Sequence, residues 1–338
     1  MSSLPADIGL PMRARWQREL ADAITDPAEL LEVLDLPGHL REPAERSART
    51  FGLRVPRSFV ARMRRGDAAD PLLRQVLPLG AELVETPGYI ADPLEEHAAR
   101  RAPQLLQKYA GRALLVTTEA CAVHCRYCFR REYPYSENSQ EGGARWSAAL
   151  AAIAADASLE EIILSGGDPL SLSDARLAQL TDALARMPHV KRLRIHTRQP
   201  VVLPSRVDQG LLAWLRGIRL PVVVVLHVNH PHEIDGDVRA ACAALRSTGV
   251  TLLNQSVLLR GVNDDVETLR RLSAALIDAG VLPYYLHLPD RVRGTAHFDV
   301  PEEVARALVD ELTRRLSGYL VPRLVREIPG EASKVAVN

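Results

Sequence analysis

The amino-acid sequence predicts an α/β fold, a partial (β/α)6 barrel that is an incomplete version of a TIM barrel. From residue 112 onward, apolar runs of strand length alternate six times with amphipathic stretches of helix length. Polar and charged side chains recur at or just after the ends of these runs, as they do at the mouth of a barrel. Because a complete barrel has eight units, the shorter series predicts a barrel that is open on one side.

Each predicted unit is a strand followed by a helix. The strands show no clean alternation of apolar and polar residues, so we expect them to be parallel and buried on both faces. The predicted strands cover 113–117, 161–165, 190–197, 221–227, 250–259 and 282–288, and the helices that follow them cover 147–157, 173–187, 205–217, 237–249, 265–280 and 301–319. A last apolar stretch, 320–328, precedes the tail.

Residues 1–110 contain no motif that carries chemistry. Apolar residues with helical spacing begin near Trp16, and cap-like residues precede helices near Thr25 and Ser58. We therefore expect a mainly helical N-terminal extension over 1–110, the barrel over 111–300, and a C-terminal helix with a tail over 301–338.

The composition is typical of a soluble globular protein and argues against nucleic-acid and membrane partners. The 338 residues include 42 Lys and Arg and 42 Asp and Glu, so no net charge attracts the chain to polyanions. No apolar stretch is long enough to span a bilayer, and the N-terminus lacks the pattern of a signal peptide. Four cysteines, three of them clustered, do not form an extracellular disulfide pattern, so we expect a cytoplasmic location.

The cysteine cluster is the strongest signal for chemistry. Cys121, Cys125 and Cys128 can hold a four-iron cluster and leave one iron with an open coordination position. A structural zinc site is the rival interpretation, with His124 or Cys242 as the fourth ligand. Three unrelated buried thiols are improbable at this spacing. Cys242 lies within a predicted helix and is expected to be a core residue.

The Cys-x3-Cys-x2-Cys spacing after the first strand resembles the signature of radical S-adenosylmethionine enzymes, including the aromatic Tyr127 before the last cysteine. The resemblance implies that the cysteines bind a [4Fe-4S] cluster and that the remaining iron binds S-adenosylmethionine. The residues that the resemblance assigns to S-adenosylmethionine binding are Tyr127, Ser165, Gly166, Gly167, Asp168, His230 and Gln255. Taken alone, the segment 165–168 would be a tight turn before a helix.

The region after Arg112 resembles the lysine 2,3-aminomutase branch of these enzymes. The resemblance implies that Lys334, which follows a Pro-Gly segment, binds pyridoxal 5'-phosphate covalently, and that Arg112 contacts the cofactor phosphate. Taken alone, both would be surface charges. Arg130 matches an arginine that pairs with the α-carboxylate of the substrate. Asp290 matches an aspartate that binds the ε-ammonium, and Glu327 stands where the family has a second aspartate.

The N-terminal segments narrow the resemblance to short bacterial aminomutases that act in the modification of translation elongation factor P. The matching segments are 24–31, 53–60, 70–77 and 92–96, and the chain stops soon after Lys334. The implied partners are L-lysine, an external electron donor and, indirectly, a ligase-like enzyme that uses (R)-β-lysine. A homo-oligomer is compatible with the sequence.

Two other functions remain open. One is a catabolic or biosynthetic 2,3-aminomutase that acts on lysine or glutamate, although an acidic substrate would require a basic residue near Asp290 and Glu327. The other is a non-catalytic iron–sulfur protein that binds a partner or senses redox state.

Overall fold

The computed structural model describes residues 13–135 and 146–337. Its centre is one sheet of ten strands that neighbour each other in chain order. The strands are β1 (Arg100–Ala102), β2 (Leu105–Tyr109), β3 (Arg112–Thr118), β4 (Glu161–Gly166), β5 (Arg192–Thr197), β6 (Val222–Leu226), β7 (Thr251–Val257), β8 (Leu282–His287), β9 (Arg323–Arg326) and β10 (Val335–Ala336).

The predicted partial barrel is confirmed. Strands β3 to β8 pair in parallel, each with the next, and β9 adds a further parallel strand. The sheet curls until Lys108 in β2 meets Glu327 just after β9, with 2.8 Å between Nζ and Oε1. The helices that connect and cover these strands are α5 (Ser147–Ala155), α6 (Asp174–Ala185), α7 (Gln199–Val202), α8 (Gln209–Gly217), α9 (Gly236–Arg246), α10 (Val266–Asp278) and α11 (Glu302–Arg315).

Capping residues explain where several covering helices begin. Ser173, Asp208, Asp235 and Asp265 each accept a hydrogen bond from a backbone N–H in the first turn of the helix that follows. The apolar faces of these helices pack on the sheet in one large buried cluster, and Cys242 in α9 belongs to it. The four loops that lead into these helices are therefore fixed at their far ends.

The extension contains α1 (Arg15–Ala21), α2 (Pro27–Val33), α3 (Arg41–Thr50) and α4 (Arg57–Val60). These helices form their own buried cluster, which includes Phe59, Leu72 and also Ala122 and Val123 from the cysteine segment. The extension thus forms one wall for the cysteines. In the described ranges, every helix is too short or too polar to span a lipid bilayer.

Two local features differ from the expectation. Strands β1 and β2 lie inside the segment expected to be mainly helical and pair antiparallel with the barrel, where Gly111 at φ 73° makes the two-residue turn into β3. Strands β5 and β7 do alternate, with buried residues at every second position. The reason is that one face of each strand lines a cavity, through Arg194 and His196 in β5 and through Gln255 and Val257 in β7, so the strands are not packed on both faces.

Candidate active site

A cavity of about 520 Å³ occupies the inside of the barrel and opens at the carboxyl ends of its strands. All of the residues proposed from the sequence as site residues line this cavity, except His230. The cysteine segment lines it, and so do Lys334 and Glu327 near the C-terminus. Residues separated by more than two hundred positions therefore share one space, which is the size of an ordinary small-molecule site.

The three cysteines are free thiols and all line the cavity. Burial, and then the charge of the nearby Cys125, raise the pKa of Cys128 to about 11. Burial also raises the pKa of Cys121 well above its usual value, with contributions from Asp168 and the other two cysteines. Thiolates held this close in a buried site need a compensating positive charge, and iron supplies it. The donor set therefore fits an iron–sulfur cluster.

The rival zinc site finds no support. Within the described residues, no group of three or more His, Cys, Asp or Glu side chains converges on a single ion. A cluster does not need such convergence, because each thiolate binds a different iron. His124 Nδ1 lies 2.9 Å from the Gly52 carbonyl oxygen, and Cys242 is buried in the helical core. Among the described residues, neither forms such a group with the three cysteines.

The glycine-rich segment after β4 is tied to the strand end before the cysteines. The N–H of Gly167 donates to the Thr118 carbonyl at 2.7 Å, and the N–H of Asp168 donates to the Ala120 carbonyl at 2.8 Å. A Cβ at Gly166, where φ is 121°, would lie 2.5 Å from the Thr118 oxygen, and a Cβ at Gly167 would lie 2.6 Å from the Glu119 oxygen. Only glycine allows this approach, so the segment sets the position of the backbone that leads into Cys121.

The carboxylate of Asp168 is engaged in hydrogen bonds within the protein. It accepts hydrogen bonds from Thr197 Oγ1 at 2.7 Å and from the backbone N–H groups of Arg198, Gln199 and Leu170 at 2.8 to 3.0 Å. These contacts hold the end of β5 against the end of β4. Asp168 therefore organises the loop, and its side chain is not free to receive a methionyl amino group.

Arg130 is buried and forms a bidentate pair with Glu96. Its Nε and Nη2 donate to the two carboxylate oxygens at 2.8 and 2.7 Å, and Nη1 donates to Ser165 Oγ at 3.2 Å. Although burial disfavours the charge, Glu96 raises the pKa of Arg130, so the guanidinium stays charged. No sequence motif singles out Glu96, and it is this partner that fixes which edge of Arg130 faces the cavity.

The tail lysine forms an ion pair inside the cavity. Lys334 Nζ lies 2.6 Å from Glu327 Oε2, and Lys108 Nζ lies 2.8 Å from Glu327 Oε1 and 3.1 Å from Glu96 Oε1. Burial opposes ionisation of Glu327, but the two ammonium groups lower its pKa to about 2. Side-chain charges therefore form a continuous chain from Arg130 to Lys334.

Asp290 lies beside this chain and behaves differently. Burial and then the charge of Glu327 raise its pKa to about 7, although Lys334 and Lys108 act in the opposite direction. The carboxyl is consequently the group in this wall that changes charge near neutral pH. An added ammonium group in the cavity would favour its ionised form.

Buried polar atoms without partners point into the cavity. Among the described residues, His196 Nε2, His287 Nε2 and Tyr109 Oη have no hydrogen-bond partner, although all three side chains line it. Burial lowers the pKa of both histidines, so the imidazoles are neutral donors or acceptors. Unpaired buried groups of this kind fit a polar ligand. His196 lies near the end of β5, one of the strand ends at which the sequence predicts functional polar side chains.

The remaining predicted residues differ in whether they line the cavity: Gln255, Arg112 and Tyr127 do, and His230 does not. Gln255 Nε2 lies 3.0 Å from His227 Nε2 in the cavity wall, and the Arg112 guanidinium lies over the Tyr109 ring at 4.6 Å. Tyr127 lines the cavity, and its hydroxyl accepts from Asn229 Nδ2 at 2.7 Å. His230 lies outside the cavity and packs against His232, so its placement does not support a contact with S-adenosylmethionine.

Comparison with known proteins agrees with this site. A protein-family model described as a 4Fe-4S single cluster domain matches residues 110–196, a range that includes the three cysteines and the glycine-rich segment. The chain is 51% identical over 332 residues to the L-lysine 2,3-aminomutase of Escherichia coli strain K12, covering 98% of this chain and 96% of the relative. It is 45% identical to the Haemophilus influenzae protein of the same name, covering 99% and 98%, and 33% identical to that of Clostridium subterminale, covering 95% and 77%.

Proposed function

The chain belongs to the L-lysine 2,3-aminomutase family, and from this premise we propose that it converts L-lysine to (R)-β-lysine by moving the amino group from C2 to C3. The observation that carries the proposal is the shared cavity, which is lined by the three cysteines and also by Lys334 and the acidic pair Asp290 and Glu327. A non-catalytic iron–sulfur protein would have no use for a half-buried lysine in the cavity that the cysteines line.

The cavity has a site for each cofactor that the reaction needs. Cys121, Cys125 and Cys128 would hold a [4Fe-4S] cluster, while Ser165 and Gln255, which also line the cavity, would contact S-adenosylmethionine. Lys334 would bind pyridoxal 5'-phosphate covalently, with Arg112 at the phosphate. When bound, the cluster and S-adenosylmethionine supply radical chemistry, and pyridoxal phosphate carries the migrating amino group.

The chain's own residues would bind and orient the substrate. The Nη1 edge of Arg130, next to Ser165, offers N–H donors to the α-carboxylate, and Glu96 holds this edge in position. Asp290 and Glu327 would receive the distant ammonium, which favours a dibasic substrate over glutamate. The buried barrel interior keeps water away from reactive species.

The decisive experiment is anaerobic turnover of L-lysine with S-adenosylmethionine, pyridoxal phosphate and a chemical reductant, followed by chiral analysis of the product. We expect (R)-β-lysine, and we expect none from Lys334→Ala, which should retain the broad cluster absorption and lose the band of bound pyridoxal phosphate. β-Glutamate from glutamate, with no product from lysine, would overturn the substrate assignment.

We propose further that the product serves the modification of translation elongation factor P. The support is the resemblance of the N-terminal segments to aminomutases of that pathway. The test is to express the chain in a bacterium that lacks its own aminomutase and to measure the mass of its elongation factor P. Restoration of the mass added by β-lysine supports this role, and an unmodified factor in cells that accumulate free β-lysine rejects it.

A further inference from the structure

Arg198 places a buried positive charge on one of the cluster ligands. It follows β5 directly, and its side chain is 6% exposed. Its Nη1 donates to Cys125 Sγ at 2.8 Å. In the described part of the chain, Cys125 is the only cysteine whose sulfur accepts a hydrogen bond from a charged side chain. No sequence motif marked this contact, because the two residues lie 73 positions apart.

Three separate parts of the fold hold the guanidinium in place. Its Nη2 donates to Gln75 Oε1 of the extension at 2.6 Å and to Glu233 Oε2 at 3.0 Å. The guanidinium carbon also lies 5.4 Å from the centre of the Phe59 ring and 5.6 Å from that of Tyr127. Asp168 holds the backbone of Arg198 through its N–H at 2.8 Å. The side chain has little freedom to turn away from the sulfur.

Glu233 balances this charge and is itself fixed. It is fully buried, and its Oε1 accepts from the backbone N–H groups of Asn229 and His230 at 2.9 and 3.1 Å. His230, which the sequence suggested as a cofactor ligand, thus contributes its backbone to the support of Arg198. The Glu233 carboxylate contacts the guanidinium, and the guanidinium contacts Cys125 Sγ. The positive member of the pair is therefore the one next to the sulfur.

A donor and a positive charge on a ligand sulfur stabilise a cluster more when it carries the extra electron, because the reduced cluster is more negative. We propose that Arg198 is a positioning residue that raises the midpoint potential of the cluster and so favours the one-electron reduction by the external donor. This inference depends on the proposed function in one respect, namely that the three cysteines hold the cluster. Glu233 opposes the effect and limits its size.

The test is a potentiometric titration of the reconstituted cluster, followed by electron paramagnetic resonance, with dithionite as reductant and without lysine or S-adenosylmethionine. Arg198→Gln should shift the midpoint potential in the negative direction, and Arg198→Lys should shift it less. Glu233→Gln should shift it in the positive direction, because it removes the counter-charge and leaves the arginine. Arg206→Gln is the control, since Arg206 is a buried arginine paired with Asp174 and does not contact the cysteines.

Opposite shifts from the two charge-removing variants are a result that mere structural damage does not give. Unchanged potentials, or shifts of the same sign, in variants with native iron content overturn the inference. If Arg198→Gln loses its iron, Glu233→Gln decides alone, and no shift in it rejects the inference. Unchanged potentials together with normal β-lysine formation would reject this inference and keep the proposed function. The two expected shifts in a protein that forms no β-lysine would support this inference and reject the proposed function.

Discussion

The carboxyl of Asp290 changes its charge near neutral pH, and the proposed binding of an ammonium group depends on that charge. Because its pKa is raised to about 7, the free protein carries a neutral Asp290 below that pH and a carboxylate above it. Only the carboxylate attracts the ammonium. We therefore expect KM for lysine to fall as the pH is raised from 6 through 8, approximately, and then to level off.

Asp290→Asn provides the comparison. Removing one partner of a desolvated charge pair costs at least about 2 kcal/mol, so KM at pH 8 should rise at least about thirtyfold. Since lysine itself titrates equally in both assays, the change of KM near pH 7 should be missing in the variant. A variant with the same pH profile as the native enzyme would assign the inflection to another group.

Single residues with distinctive chemistry could be predicted from the sequence. The cysteines have a diagnostic spacing, and Lys334 stands out because lysines are scarce in this chain. Glu96 and Arg198 could not be predicted, because their roles depend on partners 34 and 73 positions away. The sequence places Asp168 at the cofactor. The backbone N–H groups that donate to its carboxylate come together only in the folded chain, so these contacts could not be predicted.

The loop between β4 and α6 depends on glycine for its contact with the cysteine segment. Gly167→Ala would force a methyl group against the carbonyl oxygens of Glu119 and Ala120. We expect a loss of about 1–3 kcal/mol in the free energy of unfolding and reduced iron per chain after reconstitution. Thermal unfolding and iron analysis measure the two effects.

Gly217→Ala is the matched control for Gly167→Ala. It lies at the end of α8, and a Cβ there would meet no atom within 4 Å. It should leave iron content unchanged and should not lower stability, since alanine favours helix. Equal iron content in the two variants would show that the glycine contact does not position the cysteines.

Helices and strands of the barrel were predictable because their hydrophobic runs are long and separated by clear turns. All six predicted strands overlap observed ones, β3 to β8. The hairpin of β1 and β2 was missed because its strands are short and carry polar residues. The prediction that the strands are buried on both faces was wrong for β5. Its inner face lines a cavity, which, unlike a packed core, accommodates Arg194 and His196 at alternate positions.

The extension and the barrel are joined by a buried ionic contact. Glu82 accepts from Arg126 at 2.9 and 2.6 Å and from Arg131 at 2.7 Å, so one extension carboxylate serves two arginines of the cysteine segment. Glu82→Ala leaves both guanidinium groups buried without this partner. We expect a loss of about 3–5 kcal/mol in the free energy of unfolding, measured by urea denaturation.

Glu42→Ala tests whether that loss is specific. Glu42 pairs with Arg46 on the exposed surface of α3, so its replacement should cost about 0.3–0.5 kcal/mol. Comparable losses in the two variants would mean that the Glu82 contact does not hold the two parts together.

For the chain as a whole, the family, the partial barrel and the assignment to an isomerase family are confirmed. The four-iron expectation is supported by the matching family model over 110–196. The boundaries of the three sequence regions, the residue roles and the link to elongation factor P stay predictions. Sequence similarity identifies the family. It does not identify the pathway, because a pathway depends on partner proteins that the residues of the barrel interior do not reveal.

The curled sheet has a seam, the place where β2 faces the residues after β9. In the strand order of the described chain these two are not neighbours, so side chains close the wall there: Lys108 joins Glu327 on one side and Glu96 on the other. Elsewhere, widening the barrel means breaking a ladder of backbone hydrogen bonds. At the seam it means only separating ions, which water can solvate. Separating the ion pairs beside Lys334 would therefore leave every strand paired.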